Sequence, residues 1–242
     1  VVAILVFVNM GFWQLRRLEE RRDFNDRLLS RTTEAEIPLV EALRRYVPSQ
    51  EALELRLIAA AGTYAPHEEI ILLARSQNGI SGHHVLTPLY LGGDRAIIVD
   101  RGWVPIDLDR PGLEPFAPPA GQVTVVGVLR KTEVRGSFGP TIAEEGFLEQ
   151  VPRVNLERLS RQIEADVIPV YLQLLKQNPA QSGELPALVP LPAPSEGSHR
   201  GYAVQWFLFA AVTAVGYPIL LRRTAEVGRA SSEIPSKPSS EP

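Results

Sequence analysis

Ser198–Arg223, SHRGYAVQWFLFAAVTAVGYPILLRR, decides how the rest of the chain is read. From Gly201 to Leu221 it carries no charge, and Gln205 and Thr213 are its only strongly polar side chains. A helix of about 21 residues is about 32 Å long, enough to cross a hydrocarbon core of about 30 Å. Tyr202 and Trp206 stand near its first end, Tyr217 near its second, and Arg222 and Arg223 follow at once. Membrane interfaces select aromatic belts and terminal arginines of this kind, so the stretch reads as a transmembrane helix. At about 100° per residue, His199, Tyr202, Trp206, Phe209, Thr213 and Tyr217 share one narrow arc, while Val204, Leu208, Ala211 and Val215 face the other way. A histidine at the membrane edge above stacked aromatics has the chemistry to ligate a porphyrin iron. The plainer reading is a headgroup-level histidine above an aromatic stripe that packs on another helix. The arc alone leaves both open.

The 242 residues suffice for one ordinary domain plus membrane segments. Hydrophobic residues at 45% and charged residues at 22% sustain a packed core and exclude global disorder. A net charge of -3 gives no footing for a nucleic-acid partner. The chain has no cysteine, which excludes thiolate metal sites, thiol catalysis and disulfides but says nothing of compartment.

Residues 1–15, VVAILVFVNMGFWQL, form a second apolar segment interrupted mainly by Asn9. It is short for a span and starts without a methionine, so it reads as a transmembrane helix truncated at its N-terminus rather than a signal peptide, since no small-residue cleavage site follows. Trp13, Arg16 and Arg17 mark its interface. Residues 16–50 read as a helical connector with Leu15, Leu18, Leu28 and Leu29 at near-helical spacing. A short helix after Pro38 is expected there, with Leu39, Val40, Leu43 and Val47 on one face and Pro38 in its first turn.

Residues 51–177 change character. LELRLIAAAGTY, EEIILLAR, HHVLTPLYL, RAIIVD and GQVTVVGVLR are short β-rich runs broken by turn signals, followed by a helix capped by Asn155 through Ala165 and a last strand from Pro169. This predicts a mostly antiparallel β domain, barrel-like or strongly twisted. Residues 178–198, with five prolines, read as an extended linker, residues 199–221 as the second span, and residues 222–242 as a disordered tail. The fold class is therefore an α+β membrane protein in which two transmembrane helices flank the β domain. Arginines flank both spans, so charge alone leaves open which side the domain occupies.

No GxGxxG, GxSxG, HExxH or phosphate loop is present, which argues against an enzyme. Adjacent His83 and His84 in a strand point to opposite faces and do not readily share a metal. Asp100-Arg101-Gly102-Trp103-Val104-Pro105 allows two readings. In one it is a binding loop where Arg101 takes an anionic group of a partner and Trp103 gives a flat surface. In the other it is a corner where Asp100 pairs with Arg101, Gly102 takes a positive φ and Trp103 packs inside. Trp13, Arg16, Arg17, His199, Arg200 and Tyr202 form a collar at one membrane face. There the arginines suit either haem propionates or ordinary snorkelling.

GFWQLRR, AGTY, LLARSQNGISGHHVLTPL, VDRGWVP, VVGVLRKTE and SHRGYAVQWFLFAAV stand in the order of the surfeit-locus-one family, which the chain resembles from Gly11 to about Arg223. The proline-rich Asp109–Gly121 loop and linker resemble its actinobacterial branch. The resemblance implies a multi-pass cell-membrane protein with cytoplasmic termini and an extracytoplasmic central domain. It also implies an assembly factor for haem–copper cytochrome c oxidase, not an enzyme, that binds haem a and assists its insertion into subunit I. His199 would be the iron ligand, with Tyr202, Trp206, Arg16 and Arg17 around the cofactor. Subunit I or other oxidase assembly factors and the lipid bilayer would be its partners, with Arg101 and Trp103 as partner contacts. A membrane scaffold for an assembly intermediate, without a cofactor, shares the same resemblance. A two-span sensor with an extracytoplasmic ligand domain fits the layout but not these motifs.

Overall fold

The computed structural model describes residues 2–46, 49–108, 116–136 and 139–232, with backbone alone for residue 108 and residues 227–232. The elements in order are α1 (Val2–Thr33), β1 (Ile37–Pro38), α2 (Leu39–Tyr46), α3 (Gln50–Leu53), β2 (Leu57–Tyr64), β3 (Ile70–Gln77), β4 (Ile80–Gly92), β5 (Arg95–Pro105), β6 (Gln122–Lys131), β7 (Gln150–Val151), α4 (Leu156–Ser160), β8 (Asp166–Asn178) and α5 (His199–Ser232). They divide into a helical unit, Val1–Asp26 with Pro194–Pro242, and a β unit, Arg27–Ala193.

The β unit holds one sheet in the order β1-β2-β6-β8-β5-β4-β3-β7. β2 also pairs with β4, Thr63 opposite Tyr90 and Tyr64 opposite Leu89, so β2, β6, β8, β5 and β4 close on themselves as a small barrel. Pairing is antiparallel except for β1–β2, β3–β7 and β5–β8. The expected α+β class with a mostly antiparallel sheet is what the chain adopts. Period-two alternation fills the barrel: Ile168, Val170, Leu172 and Leu174 of β8 meet Ile58, Leu89, Ile97 and Val99, all buried. Leu39 and Ala42 of α2 and Leu53 of α3 join that cluster. On the outer face Leu72, Leu86, Ile98 and Tyr171 pack under Leu156, Leu159 and Ile163.

Several local expectations are corrected. Asn155 does cap α4, its Oδ1 accepting the Arg158 N–H at 3.1 Å, but the helix stops at Ser160 rather than Ala165. Ile163 and Ala165 still bury against the outer cluster, which explains why the helical spacing looked longer than the helix. In α2 the buried residues are Leu39 and Ala42, while Val40 is exposed; Val47 lies outside the described residues. Pro38 belongs to β1, opposite Ala59, and precedes the helix. VDRGWVP is a strand rather than a loop, because β5 runs through it to Pro105, while Gly102 takes the expected positive φ and Trp103 packs inside as expected. Residues 187–192 are not a free linker: Ala187 and Trp103 exchange two backbone hydrogen bonds of 2.8 Å. Gly102, at φ +132°, permits this approach, since a Cβ there would lie 2.4 Å from the Ala187 oxygen.

Among the described residues, one helix is long and apolar enough to cross a membrane, His199–Glu226 within α5. α1 runs unbroken from the apolar Val2–Leu15 stretch into the charged half of the connector. α5 likewise continues beyond Leu221 to Ser232; the rest of the expected disordered tail lies outside the described residues.

Candidate functional site

In the helical unit α1 and α5 pack through small and flat groups. Gly11, Gln14 and Leu18, spaced three and four apart, are buried with Ala203 and Ala210. A Cβ on Gly11 would lie 2.6 Å from the Phe207 ring, so glycine lets the two helices approach. Phe7 stacks on Trp206 at 5.8 Å between centroids and contacts Phe209 at 5.9 Å, and Phe12 meets Phe207 edge-on at 5.4 Å. Arg22 holds Glu196 with two bonds of 2.8 and 3.1 Å, and Arg21 Nε donates to the Ser195 carbonyl at 3.2 Å. The Arg22 hydrogen bond holds the Glu196 carboxyl below its ordinary value.

His199 opens α5. Its Nδ1–H donates to Gln14 Oε1 at 2.8 Å, which fixes the ring plane and leaves the Nε2 lone pair without a hydrogen-bond partner among the described residues. Gly197, at φ +65°, stands beside that nitrogen; a Cβ there would come within 3.6 Å of Nε2. An imidazole oriented through one nitrogen, with the other unpaired beside a residue lacking Cβ, is the donor arrangement of a metal-ligating histidine. The residues therefore fit axial ligation of an iron porphyrin.

The rest of the predicted collar divides. Tyr202, one turn below His199, is half exposed. Trp206 and Phe209 belong to the α1 contact, the packing role that the aromatic arc allowed. Arg17 pairs with Glu20 at 2.8 Å and lies 5.8 Å from the Trp13 ring centroid. Arg16 is exposed and forms no ion pair among the described residues; two residues past Gln14, it lies about 200° around the helix from it.

Arg101 and Trp103 sit elsewhere, in the β unit. Arg101 is 1% exposed and points into the barrel: Nη1 donates to Glu69 Oε2 at 2.8 Å, and Nη2 donates to the Phe116 carbonyl and to Gln181 Oε1 at 2.9 Å. Burial pushes its guanidinium below the ordinary value while Glu69 pulls it back. Asp100 pairs with His84 at 2.8 Å and accepts the Gly102 N–H at 3.1 Å, so the expected Asp100–Arg101 pair is absent among the described contacts. Trp103 is 8% exposed, its indole against the backbone of Gly82. An anionic group on a partner meets neither an exposed guanidinium nor an open indole face here. His83 accepts the Ala74 N–H at 3.3 Å while His84 turns to Asp100. Among the described residues no three His, Asp or Glu side chains gather as a metal site.

Gln14, Gly197 and Glu69 were not singled out in the sequence. For Gln14 the signal was present in the Gly11, Gln14, Leu18 spacing, which marks one helical face. Nothing local marks Glu69, whose partners include Thr87 and Arg101, 18 and 32 residues away.

The family model described as the SURF1 family matches residues 1–211. A SURF1-like protein of Rickettsia felis is 25% identical over 235 residues, covering 94% of this chain and 97% of its own. A SURF1-like protein of Mycobacterium tuberculosis is 25% identical over 244 residues, covering 97% of this chain and 86% of its own. Surfeit locus protein 1 of Takifugu rubripes is 30% identical over 148 residues, 54% of this chain and 60% of its own.

Proposed function

This chain belongs to the SURF1 family, an assembly-factor family linked to cytochrome c oxidase, and we propose that it binds haem a on His199 and assists its insertion into subunit I of the nascent oxidase. The observation that carries the reading is the 2.8 Å bond from His199 Nδ1 to Gln14, with Nε2 unpaired beside Gly197. Bound haem supplies an iron that accepts the Nε2 lone pair and propionates that seek cations. Gln14 keeps the ring in one tautomer and one plane. A single neutral ligand at a helix end holds iron yet allows release, as a carrier requires. Tyr202 offers a half-exposed ring one turn below, and Arg17, about 60° around α1 from Gln14, meets a propionate by leaving Glu20, whereas Arg16 faces away from that side of α1. Trp206 supports the site from behind through its stack on Phe7.

In this reading α5 and the apolar half of α1 both span the cell membrane, with the β unit extracytoplasmic. Arg16 and Arg17 at the end of the α1 stretch and the exposed apolar surface of α5 support the two spans, while the side taken by the β unit follows from the family resemblance.

The test is complementation in cells that lack this protein and build a haem a oxidase. Wild type restores haem a in subunit I, whereas His199→Ala restores it about tenfold less well at equal protein level. Equal recovery would remove His199 from the role. Association with subunit I that survives in His199→Ala while haem recovery is also unchanged would mark a scaffold without cofactor.

A further inference from the structure

The outer face of the barrel carries a half-open cavity of mixed polar and apolar lining that the haem reading does not use. It has a volume of about 290 Å³. Two β-bulges build it. In β3 the extra residue between Leu72 and Arg75 brings both side chains to one face, although they are three apart in sequence. In β5 the register shift opposite Val85 and Leu86 turns Asp100 toward His84 and Arg101 into the barrel. Residues 187–192 close the far wall, held by Gln173 Nε2 donating to the Val189 carbonyl at 3.0 Å.

The groups in this cavity fall into two sets. Arg75 is neutralised by Glu133, Nη2 lying 2.9 Å from both carboxylate oxygens, and Asp100 is engaged by His84 and the Gly102 N–H. Arg130 and Tyr171, opposite each other in the β6–β8 ladder, line the same space, and their side chains form no hydrogen bond among the described residues. With His84 Nδ1–H donating to Asp100, its Nε2 has no hydrogen-bond partner among the described residues. Burial raises the Tyr171 hydroxyl, which keeps it a donor throughout the neutral range. What stays unpaired among the described residues is thus one cation, one hydroxyl donor and one imidazole nitrogen.

We propose that this cavity is a binding site for a small organic hydroxy acid. Its carboxylate pairs with Arg130 and the Tyr171 hydroxyl, and its own hydroxyl donates to His84 Nε2. The two ion pairs already present leave Arg130 as the cation that selects a carboxylate, and the oriented imidazole selects the neighbouring hydroxyl. The volume stands at the small end of ligand pockets and suits a small acid. The site lies wholly in the β unit and does not rest on the haem reading.

The test uses the full chain in detergent with ¹⁵N-histidine, titrated with L-malate while the His84 ring nitrogens are followed by NMR. Saturable shifts with L-malate are expected. They should weaken about tenfold in Arg130→Gln and in Tyr171→Phe, changes that remove groups with no bond to lose. Succinate, which lacks the hydroxyl, should bind several-fold more weakly. No shift up to about 10 mM L-malate, or equal binding in Arg130→Gln, overturns the site. Equal binding of succinate overturns the role given to His84. Inorganic phosphate matching L-malate would show an unselective anion site and overturn the hydroxy-acid assignment.

Discussion

The two units dispose of apolar surface in opposite ways. In the β unit Ile58, Leu89, Ile97, Val99 and Leu172 are fully buried, and even its arginine at position 101 is inside. In the helical unit Val204, Leu208, Val212, Val215 and Leu220 are more than half exposed, while the buried residues among those described are Gly11, Gln14, Leu18, Asn25, Ala203 and Ala210. The first unit removes hydrocarbon from water by folding, so its stability derives from burial. The second unit leaves apolar surface exposed, as a lipid solvent favours, and holds its helices through small residues, aromatic stacks and the part-buried His199–Gln14 hydrogen bond. Substitutions in the two units should therefore fail in different ways.

The largest effect is expected at the barrel's buried ion pair. Arg101→Ala removes the cation from beside the buried Glu69 carboxylate and should destabilise the β unit by about 3–5 kcal/mol, read by denaturant unfolding in detergent. A loss below about 1 kcal/mol would mean that burial of the pair contributes little, and the contrast between the units would weaken. Gly11→Leu should instead spare the β unit and separate α1 from α5 by overpacking against Phe207, a change worth about 1–3 kcal/mol. Trp206 fluorescence reports it through loss of the Phe7 stack, and an unchanged spectrum would contradict the packing described.

Alkaline pH sharpens the comparison further. Burial, with the bond to Glu68, pushes the Tyr90 hydroxyl up to about 12 from 10.0. Its stabilising contribution is complete below pH 10.0 and is lost as pH rises through about 12. Tyr90→Phe should cost about 1 kcal/mol at neutral pH and flatten the alkaline decline of the β unit. An equally steep decline in the variant would assign the loss to other groups. The smallest effect belongs to Arg22 and Glu196. Glu196→Gln should leave thermal stability unchanged at neutral pH, because both groups are half exposed. The depressed Glu196 carboxyl lends its contribution above the ordinary carboxylate range and loses it as pH falls through the folded value, so any effect of the variant should vanish in acid.

The sequence made these units legible to different depths. α5 was readable because length without charge is a property of one segment, and the strands because β-branched runs and turns are local. Barrel closure was not readable, since it rests on Thr63 and Tyr64 meeting Tyr90 and Leu89 across the sheet. The inward turn of Arg101 was hidden for a similar reason: the bulge that produces it is a mismatch between β4 and β5, not a property of VDRGWVP. His199 stood out as the one histidine at the entry of the apolar helix. Its orienting partner did not, because Gln14 lies 185 residues earlier and only helix pairing brings the two within 2.8 Å.

The most direct measurement of the central claim is the absorption spectrum of the protein purified in detergent from cells that make haem a, beside His199→Ala. A haem a band in the wild type that is lost in the variant, with the β unit still folding cooperatively, is the predicted result. A band of equal strength in both, or none in the wild type while subunit I co-purifies, would contradict haem binding at His199 and leave that histidine as an interfacial anchor.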